Sequence, residues 1–173
     1  MIEVLFYGRG GQGAFTAARI LGAAWILKNE QSFALAFPSF GPERRGAPVR
    51  AFTKLDNKPI NSRSEIQKSD FVIYLDDTLF NEISLPALKE GGKVIVNSAK
   101  QYSNPHIIAI DAGKIALEIL KLPIANTVML GALAAICEEI TLPEIEQAIS
   151  TTMSKRLIDG NIAVVRAARE ALS

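Results

Sequence analysis

Residues 8–13 read Gly-Arg-Gly-Gly-Gln-Gly, directly after the apolar run Ile2–Tyr7 and before an Ala-rich stretch that starts at Ala14. Gly8, Gly10 and Gly13 satisfy the G-x-G-x-x-G spacing of a strand–loop–helix unit, with Gly11 as an extra glycine. The chemistry open to such a loop is anion binding. Glycines let the backbone approach a phosphate, and a helix N-terminus offers unpaired N–H groups and the positive end of its dipole. The same spacing also serves a ligand-free turn, because glycine takes positive φ and lets a helix sit close to a strand. A nicotinamide or flavin site needs an acid at the end of the second strand to hold a ribose hydroxyl. Here that strand runs through "FALAFPSF" (33–40), with no acid before Glu43. The residues therefore disfavour a dinucleotide and leave another anion or a structural turn open. Gln12 can bond a neighbouring backbone segment as readily as a ligand.

A second unusual stretch, "FPSFGPERRGAPVR" (37–50), surrounds Glu43, Arg44 and Arg45 with three prolines, two glycines and two phenylalanines. Prolines lower the entropy cost of ordering such a loop. Following the second strand, it is expected at the same sheet end as the glycine loop, where open α/β sheets bind ligands. Phe40 beside paired arginines has the composition of an interface anchor. Arg44 or Arg45 could instead hold a phosphate in a fork, or the loop could simply be solvated with Glu43 paired to an arginine.

Other residues offer less chemistry. Asp76 and Asp77 follow the strand-like run Phe71–Leu75 and precede Thr78, which reads as a cap for the next segment rather than a metal or acid–base pair. His106 reads as a turn residue, Cys137 as a small buried hydrophobe and Trp25 as core. No nucleophile–base pair is visible.

The elements that must position these residues follow from the apolar pattern. Runs at Ile2–Tyr7, Phe33–Phe37, Phe71–Leu75, Val94–Val96 and Ile107–Ile110 do not alternate, as expected of strands covered on both faces. Val49–Leu55, Asp56-Asn57 and Lys58–Ile60 read as a hairpin whose second strand, carrying Pro59, lies at an edge. Helical patterns run over Ala14–Lys28, over Ala112–Leu120 capped by Asp111, and over Val128–Glu139 capped by Asn126 or Thr127. In the last third, Leu142, Ile145, Ile149 and Met153 share one helix face, and Ile158, Ile162, Val165 and Leu172 another. The expected fold is α/β: a three-layer α/β/α arrangement with a Rossmann-like, mostly parallel (mixed) sheet and a helical C-terminal third.

With 173 residues, of which 49% are apolar, one domain spanning 1–173 with a real core is expected. A formal net charge of +1 gives no reason to invoke nucleic acid. The longest apolar run, Val128–Cys137, is short for a membrane span, and no signal peptide opens the chain. One cysteine allows no internal disulfide, which fits a cytoplasmic protein, and with a single histidine it cannot build a zinc or iron–sulfur site.

Three segments in order, "GRGGQGA", "AFPSFGPERRGAPVRAF" and "PI..RS.I..SDFVIYLD", resemble the gamma subunit of 2-oxoacid:ferredoxin oxidoreductases, a domain fused into the single-chain pyruvate enzymes. The resemblance covers nearly the whole chain, and "FGPERRGAPV" looks most like the pyruvate branch. It implies a multisubunit enzyme that oxidatively decarboxylates a 2-oxoacid to acyl-CoA and passes electrons to ferredoxin. It also implies thiamine diphosphate, Mg and [4Fe-4S] clusters carried by alpha, beta and ferredoxin-like delta subunits, and coenzyme A as acyl acceptor. This chain would be accessory, binding none of these cofactors alone and having no catalytic residue or metal of its own. Gly8, Gly10, Gly11, Gln12, Gly13, Arg44 and Arg45 become candidate contacts to coenzyme A or to a partner. Phe40, Gly41, Pro42, Glu43, Gly46, Arg63 and Ser64 match the same motifs. An isolated chain would be prone to dimerise through surface meant for partners. The rival expectation is a stand-alone nucleotide-binding oxidoreductase that uses the glycine loop.

Overall fold

The computed structural model describes residues 1–39 and 45–173. Its strands are β1 (Ile2–Arg9), β2 (Phe33–Pro38), β3 (Pro48–Asp56), β4 (Ser69–Tyr74), β5 (Leu88–Asn97) and β6 (Ile107–Ile110). They form a six-stranded sheet of order β2-β3-β1-β4-β5-β6. β1, β4, β5 and β6 are parallel, and β3 runs antiparallel to both β1 and β2. The helices are α1 (Ala14–Ile26), α2 (Ala112–Leu120), α3 (Asn126–Ile136), α4 (Leu142–Thr152) and α5 (Lys155–Ala171).

The α/β class, the mixed and mostly parallel sheet and the helical last third match the sequence reading. The layering has one distinctive feature. Sheet residues Val4, Phe6, Ala51, Ile73 and Ile95 share one core with all five helices. The opposite face, with Leu5, Phe52, Val72, Tyr74 and Val96, is covered by Ile66, Leu79, Phe80, Leu85 and Tyr102 from the segments between strands. Both faces are thus buried, as the non-alternating strands require, but helices cover only one. α1 and α3 lie on the sheet, while α5 packs on α3 and α2, and α4 on α1. α3 is therefore buried nearly all round, from Asn126 to Ala134.

The expected hairpin over 49–60 does not form. β3 has β1 on one edge and β2 on the other, so a returning strand has no edge left to pair with. The chain after Asp56 instead crosses the helix-free face. There Ile66 is buried, Glu65 meets Arg50 at 3.1 Å and Lys54 Nζ donates to the Ser62 carbonyl at 3.2 Å. The hairpin partner of β3 is β2, joined through the second motif.

Asn126 and Thr127 are not caps. The cap position of α3 is Ala125, and both polar residues are buried inside the first turn. Asp111 caps α2 as expected, accepting from Lys114 N at 2.9 Å. In α5 the most buried side chains are Asn161, Val164, Val165 and Ala168, a face rotated from the expected stripe because α5 packs against α3, α2 and α4 together.

Candidate ligand and docking site at the glycine loop

α1 connects β1 to β2 on one flank of β1, while β4 extends the sheet on the other. The strand order therefore reverses at the β1/β4 gap, the place where open α/β sheets leave a crevice beyond the strands' C-terminal ends. The glycine loop fills one side of that gap and Asp76 the other.

Two glycines in the loop meet a requirement no other residue meets easily. Gly11 and Gly13 have φ of +94° and +81°. Gly13 is the left-handed N-cap of α1 with no side-chain cap, and a Cβ there would lie 2.5 Å from Asn126 Nδ2. That amide donates to the Gly13 carbonyl at 3.3 Å, tying the start of α1 to the start of α3. At Gly8 an added Cβ would press on Leu75 Cδ1 at 3.2 Å.

The loop is fastened by polar contacts. Gln12 accepts from Arg9 N through Oε1 at 2.7 Å and donates from Nε2 to Asp76 Oδ2 at 3.0 Å. Arg9 reaches two other segments through three bonds: Asp76 Oδ2 from Nε at 3.2 Å and Thr78 Oγ1 from one terminal nitrogen at 2.8 Å after β4, and the Gly46 carbonyl from the other at 3.1 Å. Asp76 also takes Thr78 N at 3.0 Å and so caps the short 3₁₀ turn Asp77–Leu79. Burial works against charge on this carboxyl. Hydrogen bonds from Thr78 and Gln12, and the nearby Arg9 guanidinium, outweigh it and hold the pKa below the ordinary value.

The second motif comes to the same place. Gly10 N donates to the Ala47 carbonyl at 2.8 Å and Gly46 N to the Gly10 carbonyl at 3.1 Å, with a bridge between Gly10 and Arg45. Gly46 adopts φ of +83° to make this return. Arg45 is exposed and lines, with Gly11, Gln12, Asp76 and Asn97, an open cleft of about 520 Å³. Its floor is tied together by Asn97, which donates to the Leu75 carbonyl and accepts from Gly113 N, both at 3.0 Å. Asp77 faces Ser98 Oγ at 2.8 Å and Lys100 Nζ at 3.6 Å.

The structure thus brings Gly8, Gly10, Gly11, Gln12, Gly13 and Arg45 together. Phe40, Gly41, Pro42, Glu43 and Arg44 lie outside the described residues. Arg63 and Ser64 are exposed and belong to the segment over β3, where Ser64 Oγ receives Lys54 Nζ at 3.4 Å. His106 sits exposed in a turn with Nδ1 3.0 Å from the Gly92 carbonyl. Cys137 is buried, and Trp25 is core with its indole N–H on the Asp56 carbonyl at 3.1 Å.

Residues 3–171 match the family model described as pyruvate ferredoxin/flavodoxin oxidoreductase. The chain is 49% identical, over 99% of its length and 95% of the relative's, to the common gamma subunit of the pyruvate/ketoisovalerate oxidoreductases of Pyrococcus furiosus. The chain belongs to the gamma subunits of this oxidoreductase family. It is 43% identical to pyruvate synthase subunit PorC of Methanothermobacter marburgensis, over 98% of this chain and 97% of that one. Among solved structures, the PORC subunit of Thermotoga maritima pyruvate oxidoreductase superposes with a TM-score of 0.83 at 31% identity, covering 98% of this chain and 95% of that one. A 2-oxoglutarate:ferredoxin oxidoreductase from Magnetococcus marinus shares the fold, with a TM-score of 0.75 at 16% identity over 99% of this chain and 31% of that one.

For this gamma-type chain, the sequence reading named the glycines and Gln12 but took Asn126 for a helix cap and passed over the other fasteners, Arg9, Thr78 and Asn97. A signal did exist for Asp76. It ends a strand that would neighbour β1 in any Rossmann-like order, so its carboxylate is due beside the glycine loop.

Proposed function

We propose that this chain is the accessory gamma subunit of a pyruvate (2-oxoacid):ferredoxin oxidoreductase, assembling in the cytoplasm with alpha, beta and ferredoxin-like delta subunits. In that complex thiamine diphosphate, Mg and [4Fe-4S] clusters reside on the other subunits, and coenzyme A receives the acyl group. The supporting observation is that Arg9 joins the glycine loop, the second motif and the β4 end into one surface. That surface sets the exposed Arg45 on one cleft with Gly11 and Gln12 of the glycine loop, a combination suited to an anionic group such as a coenzyme A phosphate. Pyruvate is the favoured oxoacid. The Pyrococcus relative is named as common to two oxoacid enzymes, in keeping with a subunit that does not itself select the acyl chain. No helix among the described residues is long and apolar enough to cross a membrane.

The test is the double variant Arg44→Ala/Arg45→Ala in the native complex. Normal assembly with a KM for coenzyme A raised about tenfold and kcat unchanged supports ligand contact. Failed assembly places the arginines in a subunit interface and keeps the accessory role. Unchanged assembly and kinetics overturn the assignment of this surface. The accessory role itself falls if native purification yields the chain without larger thiamine- and cluster-bearing subunits.

A further inference from the structure

We infer that the outer edge of β2, with the flank of α1 above it, is a two-fold contact to a second copy of this chain. β2 ends the sheet, and among the described residues nothing pairs with its outer side. The direction of its backbone groups follows from the ladder. Ser39 N donates to the Arg50 carbonyl at 2.9 Å, so Ser39 and, by alternation, Phe37, Leu35 and Phe33 turn their N–H and C=O groups toward β3. The β1 side agrees: Gly10 N donates to Ala47 O, which places the odd-numbered residues of β3 on β1 and leaves the even ones for β2. Ala34 and Ala36 therefore point their N–H and C=O groups outward. Pro38, the next in that row, has no N–H to offer, the usual position for proline in an edge strand.

One register uses this edge fully. With an antiparallel copy centred on Leu35, Ala34 faces Ala36 of the copy and Ala36 faces Ala34. Both N–H groups of each chain then find a carbonyl, and the ladder stops at Pro38. Centring on Ala36 would set Ala34 against the copy's Pro38 and lose a donor. The Leu35-centred register also places Phe33, 37% exposed, opposite the copy's Phe37 on the helix-free face. Aromatic pairs directly across a ladder are favourable.

The helix face fits the same axis. Gly22 of α1 sits over this point of the strand, its Cβ position 3.5 Å from Ala34 Cβ and 3.8 Å from Ala36 Cβ. α1 packs across β2 and β3 and reaches β1, and the Cβ position of Gly22 is also 3.9 Å from Thr53 Cγ2 on β3. Across a β2–β2 pair, α1 and its copy would therefore face each other on the same side of the sheet. An open groove of about 330 Å³ along this flank of α1 is lined by Arg19, Ala23, Ile26 and the small Ala34 and Ala36, with Thr152 and Met153 at the end of α4. Ile26, 52% exposed, would fill it from the opposite chain. Gly22 at the crossing keeps each Arg19 level with the far end of the other helix, so the two cations do not meet.

The test pairs a cross-link with a disruption. Sedimentation of the chain at micromolar concentration should give twice the 18.7 kDa chain mass. Leu35→Cys places two thiols in a non-hydrogen-bonded pair, close enough for a disulfide. It should give a covalent dimer on oxidation, both in the isolated chain and in the native complex. Ile26→Glu changes a side chain exposed in the monomer, so it should leave the fold intact by circular dichroism while halving the mass. A monomeric wild-type chain overturns the inference. So does a dimer indifferent to both changes, or a Leu35→Cys chain that cross-links only to a different subunit in the complex. None of these outcomes bears on coenzyme A or on Arg45, so this inference and the proposed function fail separately.

Discussion

The Arg9 guanidinium meets the Asp76 carboxylate at 3.2 Å across the gap where the strand order reverses. One oxygen of that carboxylate takes Arg9 and Gln12, and the other takes Thr78. A single side chain at the end of β4 thus fixes both the backbone of the glycine loop and, through Arg9, the carbonyl of Gly46. Asp76→Ala should cost about 2 kcal/mol in urea unfolding at neutral pH, the range for hydrogen bonds to a charged group. The sign with pH follows from the lowered pKa. The stabilisation is complete above the unfolded-state value near 4 and is lost as pH falls through the lower folded value. The stability gap between wild type and Asp76→Ala should therefore close in acid, and a gap constant from pH 7 to pH 2 would remove the ionic explanation.

Gly13 answers to two separate constraints, and they can be measured apart. Gly13→Ala incurs the left-handed backbone cost of about 1–2 kcal/mol and adds a clash with Asn126, whose amide nitrogen is 2.5 Å from the new Cβ. Asn126→Ala in the same chain should relieve the clash and leave the backbone cost. The double variant is then expected to be more stable than the sum of the two singles, by denaturant titration. Additivity would mean that the amide simply swings away.

How far the sequence could reveal this depended on whether a residue's role is local. The strands, both buried sheet faces, α1 and the Asp111 cap follow from short-range pattern and were legible. The glycine loop was legible as geometry, because positive φ at Gly11 and Gly13 belongs to the loop itself. Asn126 and Thr127 were not. Each looks like a helix cap, but Asn126 serves Gly13, far away in the chain, and Thr127 donates to Asn161 in another helix at 2.6 Å. The hairpin over 49–60 failed for a similar reason: local turn chemistry at Asp56-Asn57 says nothing about whether β3 has a free edge.

The α3–α5 crossing depends on the absence of one methyl group. A Cβ at Gly131 would lie 2.2 Å from the Val165 carbonyl oxygen and 2.8 Å from Val165 Cα, both backbone atoms. Neither can rotate out of the way, so the helices must separate. Gly131→Ala should destabilise the chain by more than about 3 kcal/mol, above the usual range for overpacking, despite alanine's better helix propensity. A midpoint in urea equal to wild type would show that the helices part at little cost.

Cys137 should be chemically quiet in the folded chain. Burial first, and then the Glu139 carboxylate 3.3 Å from Sγ, push its pKa up to about 12. At neutral pH the thiolate, which is the reactive form, is scarce. Iodoacetamide labelling of native protein should be slower than in urea by at least about a hundredfold, since the unfolded thiol returns to its ordinary value of about 8.5. Fast native labelling would mean that the end of α3 opens readily.

Glu146 on α4 and Arg166 on α5 form the most regular ion pair on the helical side, a two-pronged contact of 2.6 Å and 2.7 Å. Fork geometry of this kind is stronger than a single contact, but the arginine is well exposed and salt will screen it. The hydrogen bond from Arg166 outweighs burial and lowers the pKa of Glu146. Its stabilisation is therefore present above the ordinary glutamate range and fades as pH drops through and below it. Arg166 stays charged throughout, so the acid limb reports Glu146 alone. Glu146→Gln should lower the melting temperature at pH 7 and low salt, with the difference shrinking both at 1 M salt and below pH 4. Arg166→Lys, which keeps the charge but not the fork, should recover only part of the loss seen with Arg166→Ala. Full recovery by lysine would show that charge alone joins the two helices and that the paired geometry adds nothing.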